Sequence, residues 1–160
     1  MRDIVGSLWG ILIGLLLLGA VVAVGVRAMN NNKISNALTD ITQIQASIQT
    51  VYGQAGSYGT LTNAVALNVP NLVPDDWNVA GAITDQWSGA VTLVVDPNTA
   101  SRFDITLGNL PAEACVKLAT SVKALLVTLP TGGAQSMPVD PGTAATDCAA
   151  GGNVTFVFGS

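Results

Sequence analysis

The sequence predicts one long N-terminal helix followed by a small domain of mixed helices and strands. Three observations carry that prediction. From Ile4 to Val26 the chain has no charged residue. From Arg27 to Tyr52 it has neither Pro nor Gly, and Ile34, Leu38, Ile41, Ile44, Ile48, Val51 and Tyr52 recur at the spacing of one helix face. Beyond Tyr52 the pattern changes to short β-branched or alternating runs separated by Gly, Pro and Asp.

The apolar run is 23 residues long, enough at ~1.5 Å per residue to span a ~30 Å hydrocarbon core. With the segment after it, it predicts a rod of about 50 residues, apolar all round in its first half and one-sided in its second. A cleaved signal peptide fits poorly. Such h-regions run about 7–15 residues behind a basic n-region, whereas only Arg2 and Asp3 precede this one. Cutting at the weak Ala23-Val24-Gly25 site would also sever a continuing helix. A single-pass anchor carrying a small exported domain is the competing reading. Arg2 before the span and Arg27 and Lys33 after it leave its orientation undecided.

The elements beyond the rod follow from local chemistry. Three glycines between Gly53 and Gly59 stop the helix. Residues 60–67 suit one or two helical turns, with Thr60 or Thr62 as N-cap. Pro70 and Pro74 open a turn-rich stretch that runs to Gly89. Residues 90–95 are β-branched and bounded by Gly89 and Asp96-Pro97-Asn98, while residues 102–107 alternate strictly; the two should pair as a hairpin. A helix is expected from Pro111 to Leu126, with Cys115, Leu118, Val122 and Leu125 on one face. Residues 131–151 read mostly as loop with a helical turn near 143–148, and residues 154–158 as a last strand.

Composition excludes several function classes. The net charge is −4, and the six Lys and Arg are scattered, so no basic patch exists for nucleic acid. The absence of His removes the commonest general base and metal ligand. Asp75 and Asp76 are adjacent but lack the spaced calcium-loop pattern, and they read as turn residues. Ser57 and Ser121 have no partner base. The sequon at Asn153 falls in an expected strand, a poor acceptor site. No catalytic, cofactor or metal site is expected. Charged residues are only 10% of the chain, and a neutral polar surface suits subunits that bury much of their area against one another. Cys115 and Cys148, with no metal-type spacing, suit one structural disulfide in an oxidising compartment.

The rod, its Gly-rich exit Gly53-Gln54-Ala55-Gly56-Ser57-Tyr58, Pro111-Ala112-Glu113-Ala114-Cys115-Val116-Lys117-Leu118-Ala119-Thr120, Ala144-Ala145-Thr146-Asp147-Cys148 and the terminal Val154-Thr155-Phe156-Val157-Phe158 together resemble a type IV pilin of the b subclass. That subclass includes toxin-coregulated, bundle-forming and PilS-like conjugative thin-pilus pilins. The resemblance implies an α+β fold in which the helix (1–53; hydrophobic span 1–26, amphipathic 27–53) packs on an antiparallel sheet of a globular domain (54–160). It also implies a last strand inside that sheet. The implied role is the major structural subunit of a helical filament of identical copies. Such a subunit is held in the bacterial inner membrane before an assembly machinery extrudes it as a surface pilus. A minor pilin or secretion pseudopilin, and an anchored binding domain, are the alternatives.

One departure matters. The family usually carries a glutamate shortly after its processed N-terminus, and the corresponding Val5 or Gly6 cannot serve. With Met1 expected as the processed end rather than Ser7, Asp3 is the only acid available to pair with Arg2 or a terminal amine during assembly. Gly6, Gly10 and Gly14 share one helix face and allow close helix approach. The rod between Gly14 and Gly25 is expected to stretch or unwind when the filament forms.

Overall fold

The computed structural model describes residues 29–159; the Ile4–Val26 run and Arg2, Asp3, Gly10 and Gly14 lie outside them. Helix α1 is described over 29–52. From Ile34 onward the chain forms one compact unit. Within it α1 buries Ile34, Ala37, Ile41, Ile44, Ile48 and Tyr52. Ala37 belongs to that stripe and is fully buried in the same core. Val51 does not: it is 48% exposed, having turned past the seam that runs through Ile48 and Tyr52.

The chain leaves α1 by a turn in which the Ala55 amide donates to the Tyr52 carbonyl at 2.9 Å. Thr62 caps the short helix α2 (Asn63–Asn68), its side-chain oxygen accepting from the Val65 amide. Strands β1 (Asn78–Val79) and β2 (Ala82–Ile83) form a small separate hairpin. Its turn residues Ala80 and Gly81 both have positive φ (53° and 82°), the geometry that matches strand twist in a two-residue loop. The Ala-Gly pair is a weak signal for such a turn, and this hairpin was not legible beforehand.

The main sheet has five antiparallel strands in the order β3-β4-β7-β5-β6. Strands β3 (Val91–Val95) and β4 (Arg102–Leu110) form the expected hairpin. The last strand, β7 (Gly152–Gly159), lies at the centre, between β4 and β5. An aromatic chain runs from the helix exit into it. Tyr52 meets Tyr58 at 5.9 Å between ring centroids, Tyr58 meets Phe103 at 4.8 Å, Phe103 meets Phe158 at 5.5 Å, and Phe158 meets Phe156 at 6.5 Å. Each fully buried ring contributes about 1.5–3 kcal/mol, so this chain helps join α1 to the middle of the sheet.

Three expectations are corrected. Helix α3 covers Ala112–Ser121, not 111–126; Val122 is already extended and Leu125 is 44% exposed instead of facing the core. The reason lies in the sheet. The Leu125 amide donates to the Val157 carbonyl at 2.8 Å, and β5 (Leu126–Leu129) pairs with β7. A central strand needs backbone partners on both edges, and that demand ends the helix. Second, β6 (Gly133–Ser136) occupies part of the expected loop; it has no β-branched or aromatic residue and is a strand because β5 offers it a free edge. Third, the expected turn near 143–148 is a capped helix, α4 (Pro141–Asp147). The Asp140 side chain accepts from the amides of Gly142 and Thr143.

The β3 edge is closed by a side chain. The Asn63 amide nitrogen donates to the Val91 carbonyl at 2.7 Å, and its oxygen accepts from the Leu93 amide at 2.6 Å. One asparagine thus pairs with the strand as a backbone would, which blunts an edge otherwise open to another chain.

Candidate assembly surface

Among the described residues, three surfaces present chemistry to the outside. The first is the solvent side of α1. Ser35, Asn36, Thr39, Thr42, Gln43, Ala46 and Thr50 are exposed there, and none is charged. Thr39, Thr42 and Thr50 donate their hydroxyls to the carbonyls of Ser35, Leu38 and Ala46 on their own helix, at 3.1, 2.8 and 2.8 Å. Each hydroxyl is satisfied within the helix, so the face can lose its water without leaving those groups unpaired. Shallow grooves flank it, one lined by Leu38, Thr42, Gln45, Ser121, Val122 and Lys123. This is a helix with two usable faces: an apolar stripe already buried in its own subunit and a neutral one left free.

The second is the region closed by the disulfide. Cys115 in α3 and Cys148 at the end of α4 are bonded, with Cα atoms 5.7 Å apart. Both expected residues are therefore brought together, joining α3 to the approach of β7. Asp147 extends the tie: its Oδ2 accepts from Gln135 Nε2 at 2.8 Å, and its carbonyl accepts from Thr131 Oγ1 at 3.1 Å. Gly151 follows with φ of 66°. A Cβ there would collide with the Leu110 carbonyl oxygen, so the turn into the central strand requires glycine.

The third is the outward face of the sheet. Thr92, Thr106, Thr155 and Thr128 stand in register across β3, β4, β7 and β5, and the hydroxyls of Thr106 and Thr155 are 2.8 Å apart. The neighbouring row is Val94, Asp104, Val157 and Leu126. Asp104 thus sits between two valines, with Oδ1 buried and without a hydrogen-bond partner among the described residues. Burial, and then the nearby Asp96 carboxylate, push its pKa up to about 6.

The remaining candidates have local roles. Asp76 and Asp40 both accept from Gln86 Nε2, at 2.7 and 3.3 Å. Burial and then the Asp76 charge hold the Asp40 carboxyl above its usual range. Asp75 is exposed. Asp85, absent from the sequence expectations, is 6% exposed and accepts from the amides of Trp87 and Gly89, both at 2.8 Å. An acid two residues before a backbone donor is the only signal that marks it. Ser57 accepts from the Gly59 amide, Ser121 is the exposed last residue of α3, and Asn153 Oδ1 accepts from the Asn109 amide at 3.2 Å. A cleft of about 390 Å³ at the helix exit is lined by Gln49, Tyr52, Gly53, Gly56 and Tyr58. Among the described residues no group of three or more His, Cys, Asp or Glu is placed to hold a metal ion, and no helix is long and apolar enough to cross a membrane.

Comparison with known proteins places this architecture. A family described as PilS N terminal matches residues 31–160. The "major structural subunit of bundle-forming pilus" of Escherichia coli O127:H6 (strain E2348/69 / EPEC) is 31% identical over 113 residues, which cover 66% of this chain and 58% of that protein. The protein of the same description from Escherichia coli O111:H- matches equally. The chain therefore spans a little under three-fifths of the length of these curated relatives. The crystal structure of TcpA, a type IV pilin from Vibrio cholerae El Tor biotype, is similar with a TM-score of 0.55 at 17% identity, covering 79% of this chain and 98% of that one. The type IV b pilin from Salmonella typhi is similar with a TM-score of 0.56 at 16% identity, covering 76% and 99%. With the long helix laid on an antiparallel sheet whose central strand is the last, and with the family matched over most of its length, the chain belongs to the PilS N-terminal family and has the fold of a type IVb pilin.

Proposed function

We propose that this chain is the major structural subunit of a type IVb pilus. Before assembly it is held in the bacterial inner membrane by the apolar run Ile4–Val26; afterwards that run lies among copies of itself in the filament core. Transfer between two apolar settings is close to neutral, so packing and polar contacts set the register. The role is structural rather than enzymatic. The globular part, expected over 54–160, forms the outer surface, and an assembly machinery moves the subunit from one setting to the other.

The observation that carries this reading is the two-faced α1. Its apolar stripe is used up inside the subunit. Its other face is uncharged, its threonines satisfied internally, a surface suited to packing against other copies. Within the same reading, Asp3 compensates Arg2 or a terminal amine, and Gly10 and Gly14 set close helix contacts.

Negative-stain microscopy of material sheared from cells producing this chain as the sole pilin tests the proposal. Long fibres composed of it are expected. Membrane-retained chain that never forms fibres alone overturns the major-subunit reading in favour of a minor pilin, a pseudopilin or an anchored binding domain.

A further inference from the structure

The Asp104 carboxylate is an anomaly of the outward sheet face. Val94 and Val157 flank it across the strands, Oδ1 is buried without a hydrogen-bond partner among the described residues, and a second carboxylate, Asp96, acts on it. Asp96 is itself only 8% exposed, with Oδ1 taken by the Asn98 amide at 2.7 Å. Two negative groups are therefore gathered on a β-branched surface, and among the described residues the charge that acts on Asp104 is itself a carboxylate. Resting on the filament reading, we propose that this face docks on a second copy of the chain, the Asp96–Asp104 pair meeting the ammonium groups of Lys117 and Lys123 on the neighbouring copy.

Charge complementarity selects the occupant. Beyond Ile34 the chain has three cationic side chains: Arg102, Lys117 and Lys123. Arg102 lies two residues from Asp104 and so on the same face of β4. A contact in which the patch carrying Arg102 and Asp104 met the same patch of another copy would be isologous, and isologous contacts close into dimers. An open filament needs two different patches that fit each other. Lys117 and Lys123 supply the second patch. Both are exposed, Lys117 on α3 and Lys123 just beyond its end, on an element anchored by the Cys115–Cys148 bond. The surrounding surface suits such a contact. Thr106 and Thr155 already bond each other, and the exposed Leu125, whose amide is bonded to the Val157 carbonyl, offers apolar area on the same part of the sheet.

Zero-length carbodiimide cross-linking of sheared wild-type filaments, read by mass spectrometry, tests the pairing without a variant. Peptides joining Asp104 or Asp96 to Lys117 or Lys123 are expected, and as dimers of the chain rather than as internal links. Asp104→Asn provides the second arm, since removing an uncompensated charge leaves the subunit at least as stable. Its membrane level and its disulfide should match wild type while the fibre yield drops at least fivefold. Fibres of Asp104→Asn at wild-type yield overturn the proposal, as do links from these acids only to Lys33, to another protein or within one chain. Wild-type cells that make no fibres overturn the filament reading and this inference with it. Wild-type fibres with an indifferent Asp104 overturn this inference alone.

Discussion

On β4 and β7, Phe103, Ile105, Leu107, Val154, Phe156 and Phe158 point one way, and Asp104, Thr106, Thr155 and Val157 the other. The first set is buried to 2% exposure or less and packs with α1 and α3 in one core. The second is hydroxyl-rich, holds a carboxylate with a raised pKa, and, apart from Val157, is partly open to solvent. Alternate residues of the same strands thus answer to two different surroundings. The inner face is matched to groups already present in the chain. The outer one holds a carboxyl whose buried Oδ1 has no hydrogen-bond partner among the described residues.

The largest break in that contrast comes from the inner face. Phe156→Ala should cost about 3–5 kcal/mol, against less than about 1 kcal/mol for Thr155→Ala beside it, the scale of one net hydrogen bond. Urea unfolding of the detergent-solubilised chain measures both. Equal losses would mean that the two faces are not energetically distinct.

The disulfide comes next. Its Cys residues are 33 apart in sequence, and closing a loop of that length is worth about 3–4 kcal/mol in the chain-entropy model. Cys148→Ser should lower stability by that order and reduce surface fibres with it. Because the bond joins α3 to the end of α4 rather than one strand to another, the separation between Phe156→Ala and Thr155→Ala should persist in its absence. Alkylation of both thiols in unreduced, denatured protein would contradict the bond.

The smallest and most diagnostic effect is that of Asp104→Asn. The folded carboxyl titrates near 6 against 3.8 for an ordinary aspartate, so the native state takes up this proton first. Above pH 6 the charged form penalises folding; as pH falls through 6 toward 4 the penalty fades. Because the group is only partly buried, screening reduces the effect to about 1 kcal/mol. Asp104→Asn should be more stable than wild type by that amount at pH 7 and equal to it at pH 4. Asp40 shifts in the same direction, but it is common to both proteins and cancels in the difference. A constant gap across pH would assign the effect to packing rather than charge.

Much of this architecture was legible because it is local. A 3.6-residue stripe from Ile34 to Tyr52 specifies a helix and its buried face, strict alternation over 102–107 specifies a half-buried strand, and Thr62 sits where its side chain can cap. The two cysteines needed only their number and setting to suggest a bond. What local pattern could not supply was the competition at the end of α3. Residues 122–125 continue a helical pattern well enough, yet they are extended because β7 requires a partner on that side. The same demand makes a strand of Gly133–Ser136, whose side chains have little β preference.

Sequence by itself therefore determined the helix over 29–52, the β3–β4 hairpin, the disulfide partners and the lack of any histidine, since each depends on spacing or on residue identity. Tertiary structure decided where α3 stops, that Asn63 seals the β3 edge, and that Asp104 lies between two valines beside another acid. These depend on which residues meet across strands far apart in the chain. Register between such strands is set by the summed burial and backbone pairing of the whole sheet, a quantity no short stretch of sequence contains.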